Sequence, residues 1–380
     1  MKIGFDASQI TAPQKAGTGN YSYCLAQALA ACDSDNSYIF FFRKNPSDQV
    51  KETIFARNSD FSYKVLETSF LWTHGALAKE TFLGELDLLF MSYPTLPLIR
   101  DPSLKTVVTF HDLGFDFLPE YQKFLKKYFL RLFPRIAAKQ ATRIIAVSSS
   151  TKEALVEKYN VSPAKVSVIY EGVDVPRFQK TYSSVEKKAT FSKYNVKKPF
   201  ILFVGTIQPR KNLERLIAAF SRLKQRSDEK LANLSLVLAG KRGWLADEVY
   251  LAPQKYKVGS WVNFLGRVPD EDLPLLYQEA ECVAFPSLLE GFGLPVLEAM
   301  AAGTSVVTSR VSSLPEVGGD AAFYVDPQDV ESIASGLYKV LTDVDLREKL
   351  IEKGLQRVGD FSWESSAKKL LNVFEKVDKK

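Results

Sequence analysis

Short apolar stretches rich in β-branched and aromatic residues alternate with amphipathic segments along the whole chain, and this alternation constrains the fold more than any other feature. Strands buried on both faces read as continuous apolar runs, and parallel pairing needs long crossovers that helices supply. In the first half the strand-like runs are Lys2 to Asp6, Tyr38 to Phe42, Ser62 to Leu66, Leu88 to Met91, Thr106 to Phe110, Arg143 to Val147 and Lys165 to Tyr170. Past Gly172 the sequence turns polar and loses this pattern, and a second series opens at Phe200 to Val204. It continues through Leu234 to Ala239, Val262 to Leu265, Cys282 to Phe285, Ser305 to Thr308 and Ala322 to Val325. The class is α/β, with two Rossmann-like doubly wound domains. The expected divisions are 1–178, a linker over 179–198, a second domain over 199–360 and a terminal amphipathic helix over 361–380. Open sheets of this kind bind ligands beyond the carboxyl ends of their strands, and two in series leave a cleft between those ends.

The chain has 380 residues, enough for two cores, and 50 basic against 44 acidic side chains, a net charge of +6 that suits phosphate-bearing substrates without requiring them. Cys24, Cys32 and Cys282 are widely spaced in apolar contexts, so they read as reduced thiols with neither a disulfide framework nor a zinc site. The opening MKIGFDAS reads as a strand rather than a signal peptide, and no apolar run reaches the ~18 residues of a membrane span. A soluble cytoplasmic protein is expected.

Chemistry concentrates where strands end. In PSLLEGFGLPVLEAMAAG, Gly291, Gly293 and Pro295 break any continuous helix, and a helix then starts near Leu294. Glu298 falls about one turn inside it, and Glu290 stays on the entry loop with Gly291 and Phe292. Free N–H groups at that helix start suit a phosphate, and the two carboxylates suit sugar hydroxyls. A bland alternative is a dipole-favoured helix acid beside an exposed loop acid. After Phe200 to Val204 comes GTIQPRKN, where Gly205 and Thr206 lead to Arg210 and Lys211 at a helix start, a place costly for cations unless an anion is present. Strand ends at AGKRGW and FLGRV offer Gly240, Gly266, Arg267 and Val268 as contacts to a nucleotide base or as plain turns.

In the first half, Gly17 and Gly19 precede a helix, but Ser22 stands where a dinucleotide fingerprint needs a third glycine. His111 and Asp112 end the strand Thr106 to Phe110, as a site pair or as a core histidine satisfied by its neighbour. The segment 119–143 is basic and amphipathic, fitting either a core-facing surface helix or a helix docked on an anionic membrane surface. No His, Cys or Asp set has metal-ligand spacing, so no metal and no cofactor is expected. A nucleic-acid partner is not expected, because basic and aromatic residues form no wider stripe.

Glu290 and Glu298, with seven residues between them that include GFGLP, together with GTIQPRKN, resemble the retaining nucleotide-sugar glycosyltransferases of family 4, which have the GT-B fold. The resemblance implies catalytic roles for Glu290, His111, Arg210 and Lys211. It implies donor contacts at Gly17, Gly19, Gly205, Thr206, Arg267, Val268, Gly291, Phe292, Gly293, Leu294 and Glu298. It further implies that the terminal helix returns to the first domain, and that a nucleoside diphosphate sugar donates to a glycan or lipid-linked acceptor. HDLGFDFLPEYQ looks like the branch with bacterial mannosyltransferases of surface-polysaccharide assembly, which makes GDP-mannose the expected donor. A sugar-nucleotide epimerase or a noncatalytic nucleotide-sugar-binding module would share many of these features.

Overall fold

The computed structural model describes residues 1–11, 17–67, 71–113, 124–226 and 228–378. The chain divides into two units, one of Met1–Gly172 with Ser362–Lys380 and one of Val173–Phe361. In the first unit the strands are β1 (Lys2–Asp6), β2 (Ser37–Phe42), β3 (Phe61–Val65), β4 (Leu88–Met91), β5 (Lys105–Phe110), β6 (Arg143–Ala146) and β7 (Val166–Val168). They form one parallel sheet in the order β3-β2-β1-β4-β5-β6-β7. The second unit holds β8 (Phe200–Val204), β9 (Ser235–Ala239), β10 (Val262–Gly266), β11 (Cys282–Phe285), β12 (Val306–Ser309) and β13 (Phe323–Val325) in the parallel order β10-β9-β8-β11-β12-β13. Each expected strand is present, with ends moved by one or two residues.

Both sheets wind outward from their first strand and then return to its other side. The winding therefore reverses between β1 and β4 and again between β8 and β11. Loops leaving adjacent strands at such a point diverge and open a crevice at the carboxyl edge, the usual ligand position in this architecture. Strand interiors are sealed: Phe5, Phe40, Phe90 and Phe110 in the first sheet and Phe200, Phe203 and Phe285 in the second are fully buried.

Two segments differ from the sequence reading. The stretch expected as a linker, 179–198, contains a helix Ser184–Tyr194 with a capping box between Ser183 and Glu186 and a left-handed Asn195 at its end. None of its residues is buried, so it has no apolar stripe to reveal it. Ion pairs dock it on the second unit instead: Lys187 and Lys198 on Glu279 at 2.6 and 2.8 Å, and Lys193 on Asp272 at 2.7 Å. The second unit accordingly begins at Val173 rather than 199. At the other end, the helix Trp363–Asp378 belongs to the first unit, burying Ala367, Leu370, Val373, Phe374 and Val377, with the Phe374 ring 5.7 Å from that of Phe90.

Of the segment 119–143, a helix covers Phe124–Gln140. Residues 119–123 and the side chains of 124–131, including Lys126 and Lys127, lie outside the described residues. Its later part lies against the unit, with Ala137 and Ala138 buried and Phe133 stacked 4.7 Å from His74. His74 also accepts the Leu98 N–H at 3.3 Å through Nδ1, which gives this histidine a structural place. Among the described residues no helix is long and apolar enough to cross a membrane.

Candidate active site

In the second unit the loops that leave β8 and β11 are joined to each other by hydrogen bonds and ion pairs. The loop after β8 turns through a 3-10 helix, Pro209–Lys211, and ends on Asn212 in the left-handed region with φ 61°. Asn tolerates that conformation better than most residues. Its side-chain amide donates to the carbonyls of Pro286 at 3.0 Å and Pro327 at 2.6 Å, which ties this turn to the loops after β11 and β13. Leu288 N–H donates to the Arg210 carbonyl at 2.8 Å, closing the seam.

Three charges meet there. Arg210 Nη1 donates to Glu290 Oε2 at 2.8 Å and to the Leu289 carbonyl at 2.9 Å, and Lys211 Nζ donates to Glu290 Oε1 at 2.5 Å. Glu290 and Lys211 are only 7% and 8% exposed at the side chain, and Arg210 22%. Burial alone would push the Glu290 carboxyl up. Arg210 and then Lys211 outweigh it, and the group falls to about 2. The Lys211 ammonium also sits 4.7 Å from the centre of the Phe285 ring. The sequence assigned Arg210 and Lys211 to a diphosphate and Glu290 to a sugar; the structure brings all three into one cluster.

The glycine loop that follows is held from outside. Ser313 Oγ donates to the Phe292 carbonyl at 2.7 Å and to the Glu290 carbonyl at 3.1 Å, and the Glu290 N–H donates to Ser312 Oγ at 2.9 Å. Gly293, at φ 116°, turns the chain into the helix Leu294–Ala301, a backbone conformation that a side chain would strain. Gly291, Phe292 and Gly293 are buried and Leu294 half-buried. Glu298 lies on this helix and accepts a 2.7 Å hydrogen bond from Tyr277, whose phenol burial pushes well above its ordinary value.

Contacts expected for a base separate into two kinds. Arg267 is exposed and Val268 is buried. Gly240 and Gly243 serve packing: a Cβ at Gly240 would lie 1.8 Å from the Gly205 carbonyl oxygen, and one at Gly243 2.6 Å from that of Ile207. Only bare backbone lets the two loops lie so close, which fixes Gly205 and the half-buried Thr206 beside them.

In the first unit, Gly17 and Gly19 are the first and third residues of the helix Gly17–Cys32 rather than part of a loop before it. The expected loop itself, 12–16, lies outside the described residues. His111 follows β5 and faces two acceptors. Its Nδ1 lies 3.2 Å from Glu171 Oε1 and its Nε2 3.0 Å from the Ser92 carbonyl. Burial pulls the imidazole down, but the Glu171 carboxylate, the Ser92 carbonyl and Asp112 together raise it above its usual value. Tyr21 packs edge-on against it with ring centres 4.7 Å apart.

Sequence reasoning missed Glu171, Tyr277, Asn212, Ser312 and Ser313. Only Glu171 left a signal, an acid directly after an apolar strand on the same sheet edge as His111. Among the described residues no three His, Cys, Asp or Glu side chains are grouped to hold a metal ion.

Residues 16–177 match the family described as Glycosyltransferase Family 4, and residues 185–357 match Glycosyl transferases group 1. O-antigen chain mannosyltransferase B of Escherichia coli is 30% identical to this chain, covering 99% of it and 100% of the relative. Among solved structures, sucrose-phosphate synthase from Thermosynechococcus elongatus shares the fold with a TM-score of 0.76 at 21% identity over 99% of both chains. Anabaena HepE in complex with UDP-glucose does so with a TM-score of 0.74 at 16% identity over 99% of this chain and 100% of that one. Two parallel-sheet Rossmann-like domains of GT-B type, with a full-length relative at this identity, place the chain among the family 4 glycosyltransferases.

Proposed function

We propose that the protein moves mannose from GDP-mannose to a glycan or lipid-linked acceptor, with retention of anomeric configuration and without a divalent metal. The observation that carries this reading is the buried cluster of Arg210, Lys211 and Glu290 at the reversal between β8 and β11, beside the start of the helix Leu294–Ala301. Two cations against one carboxylate leave a formal charge of +1 that a diphosphate would complete. A guanidinium has five N–H donors and an ammonium three, so each can hold Glu290 and a phosphate oxygen together. Mannose is drawn from the name of the Escherichia coli relative.

In this reading Glu298, steadied by Tyr277, accepts from the ribose, and Glu290 orients hydroxyls of the transferred sugar. The bond from the sugar's anomeric carbon to the phosphate oxygen breaks as the acceptor oxygen bonds to that carbon from the same face. The acceptor proton passes to the departing phosphate oxygen. Arg210 and Lys211 meet the charge that develops there, so no ion is required for it. Glu290 need not be a nucleophile; its role is in placing the ring. The acceptor belongs to the first unit in this reading, and the basic segment 119–143 would bring that unit to an anionic membrane carrying a lipid-linked acceptor.

The test is incubation with GDP-mannose, UDP-glucose and dTDP-rhamnose, with and without mannose-terminated acceptors, in excess chelator, with products read by proton NMR. An α-mannoside formed from GDP-mannose in the presence of chelator is the expected outcome. Transfer only with added divalent ion would remove the metal-free part. A β-mannoside from GDP-mannose would remove retention, and an isomerised donor without acceptor would favour an epimerase.

A further inference from the structure

We propose that Glu171 is a positioning residue that holds His111 with both ring nitrogens protonated, so that His111 meets substrate only as a hydrogen-bond donor. Both neighbours of the ring in the hydrogen-bond plane are acceptors: the Glu171 carboxylate at Nδ1 and the Ser92 carbonyl at Nε2. A neutral imidazole carries one N–H and one lone pair, so either tautomer would set a lone pair against an oxygen lone pair in a buried place. Against a Glu171 carboxylate, only the imidazolium satisfies both contacts, and an unmet buried polar group is costly.

The surroundings allow that charge to persist. Glu171 is 6% exposed at its side chain and His111 14%, so bulk water screens the pair little. Asp112 adds a second carboxylate nearby, and the Tyr93 phenol, raised by burial and by Asp112, stays neutral. Tyr21 faces the ring from the helix Gly17–Cys32 with an interplanar angle of 88°; its hydroxyl lies 3.3 Å from Thr109 Oγ1, and burial keeps that phenol protonated as well. From the helix Ser149–Tyr159, Thr151 Oγ1 donates to the His111 carbonyl at 3.2 Å and contributes no charge to the ring.

The residues on either side of Glu171 are held by the terminal helix. Ser366 Oγ donates to the Tyr170 carbonyl at 2.6 Å, and a Cβ on Gly172 would lie 2.3 Å from the Trp363 nitrogen. Trp363 in turn sits 5.8 Å from the Tyr21 ring. The segment Ser362–Lys380 thus fixes the residues on both sides of Glu171, which ties the returning helix to the protonation of His111. A His111 without a lone pair cannot take a proton from an acceptor hydroxyl. Any substrate oxygen it contacts must be an acceptor, reached by turning Nε2–H away from Ser92.

The inference rests on the transferase reading only for its activity arm. The chain has two histidines, so imidazole nitrogen NMR on histidine-labelled protein resolves His111 once a His74→Asn variant assigns the other signal. Wild-type His111 is expected to show two protonated nitrogens at pH 7.5. In Glu171→Gln its midpoint is expected to fall by about one pH unit or more, and the alkaline fall of kcat to move down with it while KM for the donor stays in place. Should Glu171→Gln fail to fold, Glu171→Asp serves: it keeps the charge at a longer distance, so an intermediate midpoint is expected. A neutral wild-type His111 at pH 7.5, or a midpoint that no substitution moves, overturns the proposal. Absence of turnover with every donor would instead remove the transferase reading and leave the titration standing.

Discussion

The carboxyl edges of the two sheets each bury a carboxylate against cationic side chains, and they differ in whether the cation can be discharged. At the second edge Glu290 is matched by Lys211 and by Arg210, whose guanidinium keeps its charge. At the first edge Glu171 is matched by His111, which can lose its proton. The second cluster sets two basic side chains against one carboxylate, an arrangement suited to a polyanion. The first pairs Glu171 with a cation only while His111 is protonated, which suits a donor of hydrogen bonds to neutral groups. One architecture thus presents two chemistries according to which cation stands at the strand end.

Removing the carboxylates should separate the two edges most. Glu290→Ala leaves two cations facing each other in a buried site and should cost about 3–5 kcal/mol of stability in urea unfolding. Glu171→Ala lets His111 shed its proton and relax, so its cost should be smaller, about 1–3 kcal/mol for the acceptor it removes. Equal losses would mean that the charge of His111 is not relieved and would erase the distinction.

The edges should also fail at opposite ends of the pH scale. Glu290 has its carboxyl depressed to about 2, so its contribution is complete above the ordinary carboxylate value and is lost as pH falls toward about 2, amounting to about 3 kcal/mol. The His111 imidazole is raised, so its contribution is complete below about 6.5 and is lost as pH rises through the higher folded value. Unfolding across pH should therefore lose part of its acid limb in Glu290→Gln and part of its alkaline limb in Glu171→Gln.

Smaller substitutions sharpen the picture of the second edge. Tyr277→Phe removes the 2.7 Å hydrogen bond to Glu298 and should lower stability by about 1 kcal/mol while weakening nucleotide affinity, measured by calorimetry. Arg267→Ala removes an exposed side chain and should leave stability within about 0.5 kcal/mol. A measurable change in nucleotide preference in that variant would keep Arg267 as a base contact; none would reduce it to a surface turn residue.

How much of this was legible follows from where the signals reside. Strands buried on both faces have no alternative to continuous apolar runs, so both sheets could be read from sequence. Arg210, Lys211 and Glu290 could be singled out because their charges sit in short motifs whose glycines and prolines mark strand ends, but their pairing could not, since it forms only where the loops after β8 and β11 meet. The helix Ser184–Tyr194 could not, because caps and ion pairs rather than a buried stripe hold it. Tyr277 and Ser313 act through positions set only when loops from different strands meet, and nothing local distinguishes them from core or turn residues. Glu171 lies between these cases. Beside it the terminal helix returns against Gly172 through Trp363, a contact between residues almost two hundred positions apart that local pattern does not carry.

The central claim is that Arg210 and Lys211 hold a nucleoside diphosphate at the carboxyl edge of the second sheet. Titration calorimetry with GDP, UDP, ADP and dTDP in excess chelator, on the wild type and on Arg210→Ala, tests it most directly. The expected result is binding of one nucleotide, GDP foremost, without metal, with a loss in the variant of about tenfold or more for a charge-assisted hydrogen bond of about 1.5–3 kcal/mol. Equal affinity in both proteins, or binding that appears only when a divalent ion is restored, would contradict it.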